Sequence, residues 1–151
     1  MMFRRLSTRH LFSLRLSWGA LLLAALAAGT AGAASLEESL RSFEGRFAWD
    51  AGRQDYIFSD RPGLAALIDP VTDDTLAALV ACIDDPRPAA ATLDGAPVSL
   101  GALCYQALRQ SAYVEAENWP GYIGPLADPE ARATAKRAWQ AALAEGRAVP
   151  H

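Results

Sequence analysis

Histidine is almost absent from this chain of 151 residues and occurs only at His10 and His151. His10 lies in a leader segment that we expect to be removed, and His151 follows the last predicted helix. Catalytic groups in which an imidazole activates a serine or cysteine therefore lack their base. Zinc sites combine several His or Cys ligands, and the chain has few of either. It also has no glycine-rich loop that could bind a phosphate. These absences predict a non-enzymatic protein without cofactor or metal.

Cysteine is also scarce, with one residue at Cys82 and one at Cys104. A lone pair in an oxidising compartment most often forms a disulfide, although two buried free thiols are the alternative. The bond would close a loop of about 22 residues, which the chain-entropy account values at roughly 3 kcal/mol. We expect the disulfide.

The N-terminal segment has the three parts of an export signal. Arginines without any acidic residue come first, an apolar run covers residues 20–28, and small residues end in Ala31-Gly32-Ala33. This order predicts a signal peptide over residues 1–33, with cleavage after Ala33 or, as the alternative, Ala34. An uncleaved membrane anchor is the competing interpretation, but the run is short for a spanning helix. We expect a periplasmic or secreted protein with no membrane attachment after cleavage.

Positive charge is in short supply beyond the signal. Four of the 14 basic residues precede residue 34 and all 17 acidic residues follow it, which leaves a net charge of −7. Nucleic acids and anionic membranes need a basic face, so both are poor candidates as partners. A basic protein partner would suit this charge, because complementary charge speeds encounter.

Helical signals dominate the chain after the signal peptide. Capping residues predict helices that begin after Ser35, Asp60, Thr72, Ser99 and Asp128. Residues 36–48 are expected to form the first helix, residues 49–60 a connecting segment, and residues 91–98 a small hairpin with its turn at Asp94-Gly95. The prediction is a mainly α fold: a single helical domain over residues 34–146, with one disulfide and a loose tail over residues 147–151.

Residues 76–108 resemble one unit of a HEAT-type helical repeat. An apolar helix ends in Ile83-Asp84-Asp85, a proline-bearing turn follows, and a second helix carries the run from Leu103 to Leu108. The Asp94-Gly95 segment departs from that pattern. The resemblance implies paired helices that serve as a scaffold for binding other proteins.

The long loop over residues 113–127 is the candidate binding segment. It contains Tyr113, Trp119 and Tyr122, and tryptophan and tyrosine are frequent anchors in protein interfaces. The alternative is that Trp119 and Tyr122 only cover the small core. We expect a protein that binds another protein, as an inhibitor or an immunity-type protein does. The other hypothesis is a carboxylate-based enzyme, using Asp73-Asp74 or Asp84-Asp85, or a carbohydrate binder using the Trp119 loop.

Overall fold

A computed structural model describes residues 36–116 and 119–151. The expected signal peptide over residues 1–33 lies outside the described residues. The elements, in chain order, are helix α1 (36–42), strands β1 (Arg46–Asp50) and β2 (Asp55–Phe58), helices α2 (Arg61–Ile68) and α3 (Asp73–Cys82), strands β3 (Pro88–Leu93) and β4 (Ala96–Ser99), helix α4 (Leu100–Ser111), strand β5 (Ala112–Val114), helix α5 (Pro129–Ala144) and strand β6 (Ala148–Pro150).

The expectation of a mainly α fold is wrong, because the chain is a mixed α/β protein. A four-stranded sheet has the order β2-β1-β3-β4, and β5 pairs with β6 in a second, two-stranded sheet. Strand β1 runs antiparallel to β2 and parallel to β3. The predicted hairpin is confirmed as β3–β4, but it belongs to the larger sheet. The hairpin links α3 to α4, and its strand β3 pairs with β1. The chain therefore does not form the HEAT-like arrangement of paired helices.

The first helix stops at residue 42 instead of continuing to residue 48. At Gly45 the backbone passes so close to the Phe58 ring that a Cβ there would lie 2.2 Å from it. Phe47 and Trp49 then follow at a spacing of two, which is the period of a strand. Phe43 and Phe47 are also four residues apart, so the same residues imitate a helical stripe. That ambiguity explains the wrong boundary.

Residues 49–60, predicted to be a connecting segment, contain the end of β1, a tight turn and all of β2. The Asp50 carboxylate accepts hydrogen bonds from the N–H groups of Gly52 and Arg53, at 2.9 and 3.2 Å. Gln54 adopts a positive φ of 51°. An aspartate that accepts from the backbone two residues on is a common turn-forming device. The turn therefore brings Tyr56 opposite Trp49 in register.

The other helix starts agree with the sequence. The side chains of Asp60, Thr72, Ser99 and Asp128 each accept a hydrogen bond from the N–H three residues further on, at 2.8–3.2 Å. Each bond satisfies one of the donors that a helix start leaves without an intrahelical partner. The caps thus fix where α2, α3, α4 and α5 begin.

Helix α4 is the centre of the core, and every residue from Leu100 to Leu108 is buried. A helix buried on all sides must be covered by neighbours all round, and α4 is packed by α2, α3, β3, β4 and β5.

The predicted disulfide is confirmed: Cys82 and Cys104 are bonded, with their Cα atoms 5.9 Å apart. It ties the end of α3 to the second turn of α4. None of the helices in the two described ranges is long and apolar enough to cross a membrane.

The C-terminal residues contain strand β6, whereas the sequence predicted a loose tail over residues 147–151. Strand β6 pairs with β5 from Ala148 to Pro150, and the His151 N–H donates to the Ser111 carbonyl at 3.0 Å. The backbone groups of the tail thereby find partners at the end of α4.

Candidate binding site

Three side chains from separate parts of the chain meet beside the β1–β2 turn. Asp55 lies at the start of β2, Arg109 in the last turn of α4, and Tyr122 in the loop before α5. Arg109 Nη2 donates to Asp55 Oδ2 at 2.7 Å and to the Tyr122 hydroxyl at 2.9 Å. The Tyr122 hydroxyl in turn donates to Asp55 Oδ2 at 2.8 Å. The three groups close a ring of hydrogen bonds.

The protonation states of this ring are set by burial and by the partners. Burial alone would raise the pKa of Asp55, but the hydrogen bonds from Arg109 and Tyr122 together outweigh it, so that pKa lies below its usual value. Burial acts to lower the pKa of Arg109, yet its bond to Asp55 leaves it raised. Burial and the bond to Asp55 raise the pKa of Tyr122. The ring therefore holds an ion pair and a neutral phenol at neutral pH.

The loop that carries Tyr122 is anchored on both sides of that residue. The Trp139 Nε1–H donates to the Gly121 carbonyl at 3.2 Å, and the Ile123 N–H donates to the buried Tyr105 hydroxyl at 3.1 Å. Burial raises the pKa of Tyr105 to about 12, so the hydroxyl stays protonated. With its neighbours fixed to the core, Tyr122 is held in place without being buried.

Two exposed aromatic rings are linked to the ion pair, Tyr122 directly and Trp49 through Tyr56. Trp49 is 56% exposed and Tyr122 is 57% exposed. The half-buried Tyr56 ring meets Trp49 edge to face at 5.1 Å, and a side chain at Gly124, two residues after Tyr122, would touch that ring at 3.7 Å. We call Trp49, Tyr56 and Tyr122 the aromatic face. Large rings of this kind usually lie inside a protein, so this face is the strongest candidate for a binding surface.

The candidate residues chosen from the sequence are separated by the structure. Only Tyr122 belongs to the aromatic face. Trp119 packs edge to face on Trp139 at 5.8 Å and is partly buried against the core. Tyr113 lies in β5, where its ring stacks on His151 at 5.2 Å.

Sequence reasoning gave too little weight to Trp49 and passed over Asp55 and Arg109. Trp49 falls in the segment predicted to be a connection, whereas it lies near the end of β1, beside the turn to β2. The available signal was the aspartate and glycine between two aromatic runs, which is typical of a turn. No local pattern links Asp55 to Arg109, because 54 residues separate them.

Of the two carboxylate pairs considered for catalysis, Asp84-Asp85 is paired with basic side chains. Asp84 Oδ1 accepts from Lys136 Nζ at 2.7 Å. Asp85 accepts from Arg87, and this hydrogen bond keeps the pKa of Asp85 below its usual value. Asp73 and Asp74 lie in the first turn of α3. Among the residues that the structure describes, no group of three or more His, Cys, Asp or Glu side chains could hold a metal ion.

Comparison of the chain with family models, with curated proteins and with solved structures finds no match.

Proposed function

We propose that this protein is exported, has no enzymatic activity, and binds another protein through the aromatic face. The observation that supports this most is the exposure of Trp49 and Tyr122. The Tyr122 hydroxyl bonds to the Asp55–Arg109 ion pair, and Trp49 contacts the ring of Tyr56, the residue after Asp55. Tryptophan, tyrosine and arginine are the residue types enriched at binding hot spots. The disulfide is compatible with export to an oxidising compartment.

The rigidity of the face supports binding as well. Tyr122 is fixed through its hydroxyl and through the anchored residues on both sides, and Trp49 stands on a paired strand. Ordering a side chain at an interface costs about 0.5–1.5 kcal/mol. Rings that are already held in place avoid most of that cost.

The partner that fits is a basic protein. Beyond residue 33 the chain carries a net charge of −7, which attracts a positively charged protein and speeds its encounter. Lysine or arginine side chains of such a partner can also lie over the exposed Trp49 ring. An inhibitor or an immunity-type protein acts by an association of this kind.

The test is comparative capture from native envelope and secreted extracts. Residues 34–151 serve as bait in the wild type, in Trp49→Ala and in Tyr113→Ala, the last being a matched control because Tyr113 is exposed but lies outside the aromatic face. We expect a stoichiometric basic protein on the wild type and on Tyr113→Ala, but not on Trp49→Ala. A partner retained equally by all three baits would contradict the assignment of the face. Specific retention of a glycan, with no protein, would favour carbohydrate binding instead.

A further inference from the structure

Besides the aromatic face, the structure contains a polar pocket of about 150 Å³, and Asp55 and Arg109 of the ion pair are among the residues that line it. Residues 55–58 all line it, so it runs along the outer edge of β2, which is an edge strand of the sheet. Its other side is formed by α4 and by the start of α2. We call it the arginine pocket, because Arg53, Arg61 and Arg109 line it.

The pocket is positive within an acidic protein. Asp55 is its one carboxylate, and the ion pair with Arg109 at 2.7 Å already neutralises it. The side chain of Arg61 has no hydrogen bond or ion pair with any residue in the described ranges, and Arg61 is exposed. Arg53 is 69% exposed and lies 3.6 Å from Asp50, a distance at which the pair is weak. The Arg61 guanidinium is thus free to receive an anion, and the Arg53 guanidinium is held only by a weak pair.

Two amide side chains line the pocket without a hydrogen bond to the described residues, and the Nε2 atom of one of them, Gln110, is buried. Gln106 is only 8% exposed and lines the pocket, yet its side chain makes no hydrogen bond with the residues described in 36–116 and 119–151. Gln110 also lines the pocket, and its buried Nε2 has no partner in the same ranges. Buried polar groups without partners are uncommon, because each costs about 1–3 kcal/mol.

We propose that the arginine pocket binds a small oxyanion, a carboxylate or phosphate group of a low-molecular-weight ligand. Arginine forks match both groups in a bidentate manner, and the amides of Gln106 and Gln110 supply the remaining donors. This site goes beyond the proposed protein binding and does not depend on it.

The test is a calorimetric titration of residues 34–151 at constant ionic strength with succinate, inorganic phosphate and, as the control anion, chloride. We expect saturable binding of succinate or phosphate and none of chloride. Stronger binding of succinate would assign a carboxylate ligand, and stronger binding of phosphate would assign a phosphate ligand. No protein partner is present, so this result is separate from the capture experiment.

Variants locate the bound anion. Arg61→Gln should weaken binding about tenfold, since a hydrogen bond to a charged group is lost, and the exposed position should leave the melting temperature unchanged. Arg137→Gln is the matched control, because Arg137 is also an exposed helical arginine but does not line the pocket. Absence of saturable binding by either oxyanion, or equal weakening by both variants, would overturn the proposal.

Discussion

Substituting Gly101 by alanine should destabilise the protein, although the same change in a helix normally stabilises it. Replacing glycine by alanine within a helix gains about 0.8–1 kcal/mol. At Gly101, however, the new Cβ would lie 2.1 Å from the Ile83 carbonyl oxygen and 2.8 Å from its carbon. Both atoms belong to the backbone, so no side chain can rotate away. The first turn of α4 would have to move by about 1 Å to reach a normal contact.

That movement also strains the hydrogen bonds at the junction. The Gly101 N–H donates to the Asp85 carbonyl at 3.0 Å and the Leu100 N–H to the Arg87 carbonyl at 2.7 Å. Overpacking costs about 1–3 kcal/mol and a weakened hydrogen bond about 1 kcal/mol. We therefore expect a net loss of about 1–3 kcal/mol after the gain in helix propensity.

Urea unfolding followed by circular dichroism measures this loss. With a slope of about 1–3 kcal/mol per molar urea, the midpoint should fall by roughly 1 M while the slope stays constant. Gly124→Ala is the control, since its Cβ would meet only the Tyr56 ring at an ordinary 3.7 Å. A Gly101→Ala protein as stable as the wild type would refute the close approach of α3 and α4.

Three further predictions concern the disulfide, the tryptophans and the ion pair. Intact mass without reductant should show Cys82 and Cys104 blocked, and reduction should lower the free energy of unfolding by about 3 kcal/mol for a separation of 22 residues; two alkylatable thiols in the native protein would contradict this. In urea unfolding, Trp139→Ala should lower the free energy of unfolding by about 3–5 kcal/mol because Trp139 is buried. Trp49→Ala should lower it by less than about 1 kcal/mol. Equal decreases in the two variants would contradict the assignment of Trp49 to the surface. The hydrogen-bonded ion pair with Arg109 keeps the pKa of Asp55 lower in the folded protein than the value of about 3.9 in the unfolded chain. The ion pair therefore stabilises the fold fully above about pH 3.9, and this stabilisation is lost as the pH falls through the lower, folded pKa. Asp55→Asn should therefore unfold with a shallower acid dependence than the wild type, and an identical dependence would show that Asp55 is not linked to folding.

The parts of the fold that could be predicted are those with local causes. Helix starts depend on a capping side chain and the N–H three residues away, so Asp60, Thr72, Ser99 and Asp128 located four of them correctly. The Asp94-Gly95 turn is equally local, and both residues adopt a positive φ. The disulfide needed only the chemistry of a lone cysteine pair.

The four-stranded sheet was not predicted, because its pairing depends on contacts between segments that are distant in the sequence. Strand β1 is only five residues long, and its pairing with β3 joins Arg46 to Thr92 and Phe47 to Leu93. Such short apolar runs do not distinguish a strand from a helix. The tail over 148–150 was missed for the same reason, because its partner strand β5 starts at Ala112.

The candidate site was predictable only in part. Tyr122 was found because exposed loops rich in aromatics often bind, but the sequence could not separate it from Trp119, which packs on Trp139. Asp55 and Arg109 become partners only when β2 and α4 are placed side by side. The buried Nε2 of Gln110, which has no hydrogen-bond partner among the described residues, is visible only in three dimensions, since the sequence shows only one more residue of α4.

The most direct test of the binding face is the dissociation constant of the captured partner for the wild type, Trp49→Ala and Tyr113→Ala, measured by surface plasmon resonance. Removal of a hot-spot ring costs at least about 2 kcal/mol, so Trp49→Ala should weaken binding by roughly thirtyfold or more. Tyr113→Ala should stay within about threefold of the wild type, and urea unfolding should show that both variants are folded. A Trp49→Ala protein that binds as tightly as the wild type would contradict the proposal that the aromatic face contacts the partner.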